Sequence, residues 1–222
     1  QSEEIGPGGA GLARLATADL EPAIRRLNGI QLIVACDVTN ALLGPEGAAA
    51  VFGPQKGANE DDVRQLDANL AHFSRLVKAQ GLDIASFPGS GAAGGIGGTV
   101  KGILGARLQP GIELVMEAVK LEQHIRNADL VITAEGAIDA QSAFGKTPAG
   151  VSRLAHAYGV PVIGLCGKLG AELAPLHSVG LTAAFSITPA PITLTEAYGL
   201  AEANLEKSSE QLARLTHSFS RR

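Results

Sequence analysis

Residues 128–147 read ADLVITAEGAIDAQSAFGKT, and this stretch decides the fold. Leu130-Val131-Ile132-Thr133 is a short apolar run rich in β-branched residues, which predicts a strand. A loop follows, carrying Glu135, Gly136, Asp139, Gln141, Ser142, Gly145 and Lys146. Thr147 suits a helix N-cap, and Pro148 suits the first helical position, where no amide donor is needed. Val151, Leu154, Ala155 and Tyr158 recur at helical spacing, Gly159 ends the helix, and Val160 to Leu165 opens the next strand. Strand, helix and strand form a βαβ unit, with parallel strands and a right-handed crossover expected. Open α/β sheets bind ligands beyond the carboxyl ends of their strands. The loop with two carboxylates, a lysine and two glycines falls there. A polar loop that only caps a helix has a similar composition, so on these residues alone both readings stand.

Working outward, the 222 residues suffice for one large or two small α/β domains. Hydrophobic residues make up 45% and charged residues 18%, enough for a substantial core. A net charge of -4 argues against nucleic acid, which calls for a basic face, and the lack of Trp with 4% aromatics argues against base stacking. No apolar run approaches membrane-spanning length. Gln1-Ser2-Glu3-Glu4 has neither a basic n-region nor an apolar h-region, so no signal peptide is expected, and the absence of an initiator Met points to a start inside a larger protein. Cys36 and Cys166 each follow an apolar strand; two cysteines in a chain this long suggest buried thiols in a reducing compartment.

In chain order, Gly6 to Leu15 reads as a Gly-rich entry into a short helix. Gln31 to Cys36 is a buried strand ending at Asp37. A loop over Asp37 to Pro45 leads to a small-residue helical turn at Gly47 to Phe52, and Gly53 to Gly57 is a second loop. Asn59 caps a helix whose apolar face is Val63, Leu66, Leu70, Phe73 and Leu76. The run Gly89 to Gly98 contains G-x-G-x-x-G, but no strand precedes it and no acidic residue ends a second strand at the required distance, so a dinucleotide fingerprint is disfavoured. Its glycines serve either close approach of amides to phosphate or tight helix packing. Glu113 to Arg126 is predicted as one amphipathic helix, Leu181 to Ile187 as a strand, and Thr195 as the cap of a closing helix reaching about His217. The βα alternation predicts mainly parallel sheets.

Ala140 to Thr147 nearly matches a P-loop, with Ala for the first Gly. Ala134 to Asp139 intervene between it and its strand, and the Walker-B-like strand Leu32 to Asp37 comes first rather than second, so a true P-loop is discounted. Lys146 remains suited to phosphate as a point charge. Asp37, Glu135 and Asp139 could hold Mg²⁺ or accept a hydroxyl proton. The five histidines lack metal-ligand spacing, and no G-x-S-x-G is present.

Asp37-Val38-Thr39-Asn40 with Gly44-Pro45, followed by GAAAVFGPQKGA at residues 47–58, resembles the signature block of the bacterial glycerate kinase family (type I, glycerate 2-kinase). Gly91-Ala92-Ala93-Gly94-Gly95, Pro110-Gly111-Ile112-Glu113, and Glu135-Gly136 with Asp139 and Gly145-Lys146 follow in the family's order. The resemblance runs from about Pro7 to the last helix.

The resemblance implies two α/β domains with mainly parallel sheets, the second inserted into the first. Residues 1–126 would be the C-terminal part of the inserted domain and 127–222 the return of the first, Rossmann-like domain, with an N-terminal portion preceding Gln1. It implies ATP-dependent, Mg²⁺-assisted phosphorylation of D-glycerate, with 2-phosphoglycerate the expected product, in cytoplasmic organic-acid catabolism. The 222 residues alone would be inactive, and a homodimer is a candidate assembly. The site would be a cleft between the domains. Asp37, Asn40, Lys56 and the loop with Gly91, Gly94 and Gly95 would bind substrate or phosphate from one side. Glu135, Asp139 and Lys146 would act from the other, Glu135 and Asp139 as metal ligands or base and Lys146 as a phosphate cation. The family usually has Gly-Glu-Gly-Arg before the Asp, whereas Ala134 and Ala137 stand here; the later family Ala-Gly-Ser is Cys166-Gly167-Lys168. Lys168 would supply the charge missing at Ala137. A kinase of another small hydroxy-acid, or a non-catalytic ligand-binding relative, are the competing readings.

Overall fold

The structure is a computed structural model that describes residues 4–143 and 145–219. It divides into two compact units that meet between Gly111 and Ile112. The first begins with a 3₁₀ turn, Gly9–Arg14, where a short helix is expected. It continues through α1 (Glu21–Arg26), β1 (Ile33–Ala35), α2 (Ala48–Phe52), α3 (Glu60–Lys78), α4 (Ala92–Gly102) and β2 (Arg107–Gln109). β1 pairs in parallel with β2, with Val34 opposite Leu108.

α3 organises this unit. Asn59 caps it as the sequence predicts: its Oδ1 accepts from the Asp62 amide at 3.0 Å, and the Asp62 carboxylate accepts from the Asn59 amide. Such a capping box satisfies two amides that the first turn would otherwise leave without partners. Leu70 and Phe73 of the predicted apolar face pack against buried Leu42, Val77, Ile84 and Ile103. The entry turn is held to α3 by polar ties, Asn69 Nδ2 donating to the Gly9 carbonyl at 3.0 Å and His72 Nε2 lying 2.7 Å from the Leu15 carbonyl.

The second unit takes in most of α5 (Gly111–Ala118), then α6 (Leu121–Ile125), β3 (Val131–Ile138), α7 (Thr147–Ala157), β4 (Val162–Leu169), α8 (Ala174–Ser178), β5 (Ala183–Ser186), α9 (Leu194–Gly199) and α10 (Ala201–Phe219). The sheet order is β3-β4-β5, all parallel, as the βαβ reading requires. α7 packs on β3 and β4, and Ile125, Ile138, Val162, Leu176 and Leu181 form the core beneath. Each of these side chains contributes roughly 1.5–3 kcal/mol on burial.

Further local expectations change. The buried strand expected over Gln31 to Cys36 is only Ile33–Ala35, with Ile33 and Ala35 exposed. β3 does not stop at Thr133 but runs to Ile138, because its ladder with β4 continues from Val131 opposite Val162 to Ile138 opposite Leu169. Glu135 and Gly136 therefore stand in a strand rather than a loop, and Ala137 and Lys168 are register partners on neighbouring strands rather than members of two loops. The N-cap position of α7 is Lys146, so Thr147 is the first helical residue and Pro148 the second. The single helix expected over Glu113 to Arg126 is two, broken where Lys120 takes a left-handed φ of 54°. The closing helix is also two: Thr193, not Thr195, caps α9 through a capping box with Glu196, and α10 follows.

Candidate functional site

In the second unit the carboxyl ends of β3, β4 and β5 open into a cleft of about 990 Å³ whose walls include Glu135, Gly136, Lys168, Ser186, Thr188 and Tyr198. Its size suits a small-molecule site. Glu135 is half-buried opposite Cys166. Its Oε2 atom is buried and has no hydrogen-bond partner among the described residues. A buried polar atom without a partner costs about 1–3 kcal/mol, more if charged, which marks it as a place where a ligand repays the protein. Burial foremost, and the Glu135 carboxylate beside it, push the Cys166 thiol above its ordinary pKa, a donor from the Ile138 backbone working the other way. This thiol is unfit as a nucleophile.

Asp139 follows β3 directly. Its Oδ1 accepts from the amides of Gln141 at 2.9 Å and Ser142 at 3.3 Å, so it caps the 3₁₀ turn Ala140–Ala143. One oxygen thus caps, as the capping reading of this loop has it, and Oδ2 accepts no hydrogen bond among the described residues. Lys146 is exposed at the N-cap of α7, after Gly145 with φ 73°. Lys168 is exposed at the mouth of the cleft, and no carboxylate pairs with it among the described residues. Two residues not anticipated from sequence, Ser186 and Thr188, both donate to the Gly167 carbonyl, at 3.1 and 2.6 Å, and brace the end of β4 that carries Lys168. Their only sequence signal is a pair of hydroxyls spaced by two at a strand end.

The first unit carries the other expected residues. Asp37 is exposed, and its Oδ1 accepts from the Gly111 amide at 2.8 Å. Asn40 braces two loops, its side chain donating to the Glu46 carbonyl at 3.2 Å and its own carbonyl accepting from the Gly91 amide at 3.0 Å. Lys56 is exposed in the 3₁₀ turn Pro54–Lys56. The glycine run divides by cause. A Cβ at Gly91, Gly97 or Gly98 would overlap the backbone oxygens of Ala41, Gly89 or Ile84, so these three permit close packing. Ala93, Gly94 and Gly95 are all left-handed, and a Cβ at exposed Gly94 would meet open space. Left-handed backbone at a non-Gly residue such as Ala93 is uncommon and gathers at functional sites.

Among the described residues no three of His, Cys, Asp and Glu stand together as a metal centre. Mg²⁺ asks less of a protein, one or two carboxylates with substrate phosphates completing the shell. The unpartnered Glu135 oxygen meets part of that demand in the cleft wall, whereas Asp139, whose Oδ1 caps its own turn, is not among the residues that line this cleft. No helix among the described residues is long and apolar enough to cross a membrane.

A parallel α/β unit with a crevice at the carboxyl ends of its strands is the arrangement in which open α/β sheets hold small molecules. The sequence model of the glycerate kinase family matches residues 1–217, and the chain belongs to that family. It is 44% identical over 212 residues to a glycerate kinase of Halalkalibacterium halodurans, covering 95% of this chain and 56% of the relative. It is 44% identical over 211 residues to glycerate 2-kinase of Escherichia coli K12, covering 95% of this chain and 55% of the relative. A solved chain from Salmonella typhimurium LT2, described as a candidate glycerate kinase 2, superimposes with a TM-score of 0.82 at 40% identity over 98% of this chain and 56% of its own. The chain thus spans a little over half the length of these relatives.

Proposed function

We propose that the full-length protein is an ATP-dependent kinase that phosphorylates D-glycerate, with 2-phosphoglycerate as product. The observation that carries this reading is identity of 44% to glycerate kinases across 95% of the chain, the segments with Asp37, Lys56, Glu135 and Asp139 included. In this reading residues 1–126 are the C-terminal part of an inserted domain and 127–222 the return of the first. Phosphoryl transfer needs positioning and charge neutralisation more than covalent help. Lys56 of the first unit and Lys146 and Lys168 of the second neutralise phosphate oxygens, the left-handed turn at Gly94 offers amides, and Asp37 and Asn40 bind substrate or phosphate. Glu135 and Asp139 hold Mg²⁺, which when bound draws charge from the transferring phosphoryl group, or one of them takes the proton of the glycerate hydroxyl. A cytoplasmic homodimer is the setting to test alongside.

A thermal-shift screen of the full-length protein tests substrate class. ATP with Mg²⁺ and D-glycerate together should raise the Tm above either alone, since a ligand that binds only the native state stabilises it. A larger shift from tartronate or another hydroxy-acid would move the substrate assignment, and no shift with any nucleotide would favour a non-catalytic binding protein.

A further inference from the structure

We propose that Ser142 is a positioning residue for Asp139: it commits one carboxylate oxygen to the protein and leaves the other for the ligand. The inference rests on the role given to Asp139 in the kinase reading. Ser142 is fully buried. Its Oγ accepts from the Asp139 amide at 3.2 Å and lies 3.4 Å from the Ala137 carbonyl and 3.5 Å from Asp139 Oδ1, either of which can take its one proton. Its amide donates to the Asp139 carbonyl at 3.0 Å and to Oδ1 at 3.3 Å, beside the Gln141 amide at 2.9 Å. Oδ1 is therefore surrounded by donors of its own loop.

A turn cap alone needs only those two amides. The buried hydroxyl adds an acceptor for the Asp139 amide, and its one proton goes either to Oδ1 or back to the Ala137 carbonyl at the end of β3, the strand that carries Glu135. The opposite side is closed as well. The Gly170 amide donates to the Ile138 carbonyl at 2.8 Å, and a Cβ on Gly170 would stand 2.8 Å from the Asp139 Cβ. Asp139 is thus held by its own loop through Ser142 and approached closely by the chain at Gly170. Reacting constellations depend on such placement, because small displacements of a ligating group cost rate. Ser142 thus holds Asp139 against the end of β3 without touching substrate.

The test uses full-length protein and the variants Ser142→Ala, Ser142→Thr and Gly170→Ala. Calorimetry measures ADP affinity with Mg²⁺ and again in EDTA, alongside kcat, KM for glycerate and Tm. Ser142→Ala should shrink the Mg²⁺-dependent gain in ADP affinity, and kcat, by roughly three- to tenfold, the worth of a lost hydrogen bond. Affinity in EDTA and KM for glycerate should stay put, which a merely structural defect would not allow. Ser142→Thr keeps the hydroxyl and should stay within about twofold of wild type. If Ser142→Ala does not fold, Gly170→Ala carries the test, because it displaces Asp139 from the other side and should lower the same Mg²⁺-dependent gain. An unchanged gain and unchanged kcat in a folded Ser142→Ala or Gly170→Ala protein overturn the inference, as does Ser142→Thr as impaired as Ser142→Ala. Wild-type protein that binds no ADP and turns over no glycerate overturns the kinase reading itself, and this inference with it.

Discussion

Ala137 and Lys168 are the pair on which a residue-level account stands or falls. They are register partners in adjacent parallel strands, so their backbones lie about 4.8 Å apart. A cation at one position can serve the space beside the other. A hydrogen bond to a charged group is worth about 1.5–3 kcal/mol, roughly 10–150-fold in rate if felt in the transition state. Lys168→Ser should therefore cost at least about tenfold in kcat/KM, and adding Ala137→Arg should recover part of it. Recovery is partial because Lys is a point charge and Arg a planar fork. Unchanged kinetics in Lys168→Ser would make this lysine a solvated surface residue. Glu135→Gln and Asp139→Asn should each lower kcat by roughly 10²–10⁴-fold if the altered group is the base, with little change in Tm. Near-normal kcat in both would leave the strand end purely structural. The sequence displayed these residues but not their partners: that Asp139 Oδ1 is a turn cap and Glu135 Oε2 an orphan depends on contacts that only the folded loop creates.

Elements were legible where pattern and capping agreed, and illegible where tertiary pairing or backbone conformation decided. α3 announces itself through Asn59 and an apolar stripe, whereas β3 continues through Glu135 and Gly136 only because β4 supplies a parallel ladder. The break at Lys120 has no Gly or Pro to signal it, and β2 is three residues long with an Arg at its start. The glycine run needed coordinates to separate packing from turn formation. Gly98→Ala should destabilise the first unit by about 1–3 kcal/mol, since its Cβ meets the Ile84 backbone oxygen, which cannot rotate away. Gly94→Ala meets open space and bears only left-handed strain, about 1–2 kcal/mol. Denaturant melts compare them, and a Gly98→Ala protein as stable as wild type would refute the packing reading. Gly94→Ala should also weaken nucleotide binding if the turn offers amides to phosphate.

At the scale of the whole molecule, the two thiols report on the fold without reference to catalysis. Cys36 is half-buried and Cys166 is buried, with its thiol pKa raised chiefly by desolvation. A raised folded value means that the neutral thiol's contribution to stability is complete below the ordinary pKa of 9.0 and is lost as pH rises through the folded value. At pH 8 a disulfide reagent should label Cys36 first and Cys166 only on unfolding. Simultaneous labelling of both would contradict the packing of β4. Phosphorus NMR of the reaction product tests the kinase assignment most directly. Full-length protein with ATP, Mg²⁺ and D-glycerate should yield ADP and 2-phosphoglycerate, and Asp139→Asn should abolish nearly all of that signal while the protein remains folded. No phosphoglycerate from the wild type, or undiminished product from Asp139→Asn, would contradict the account.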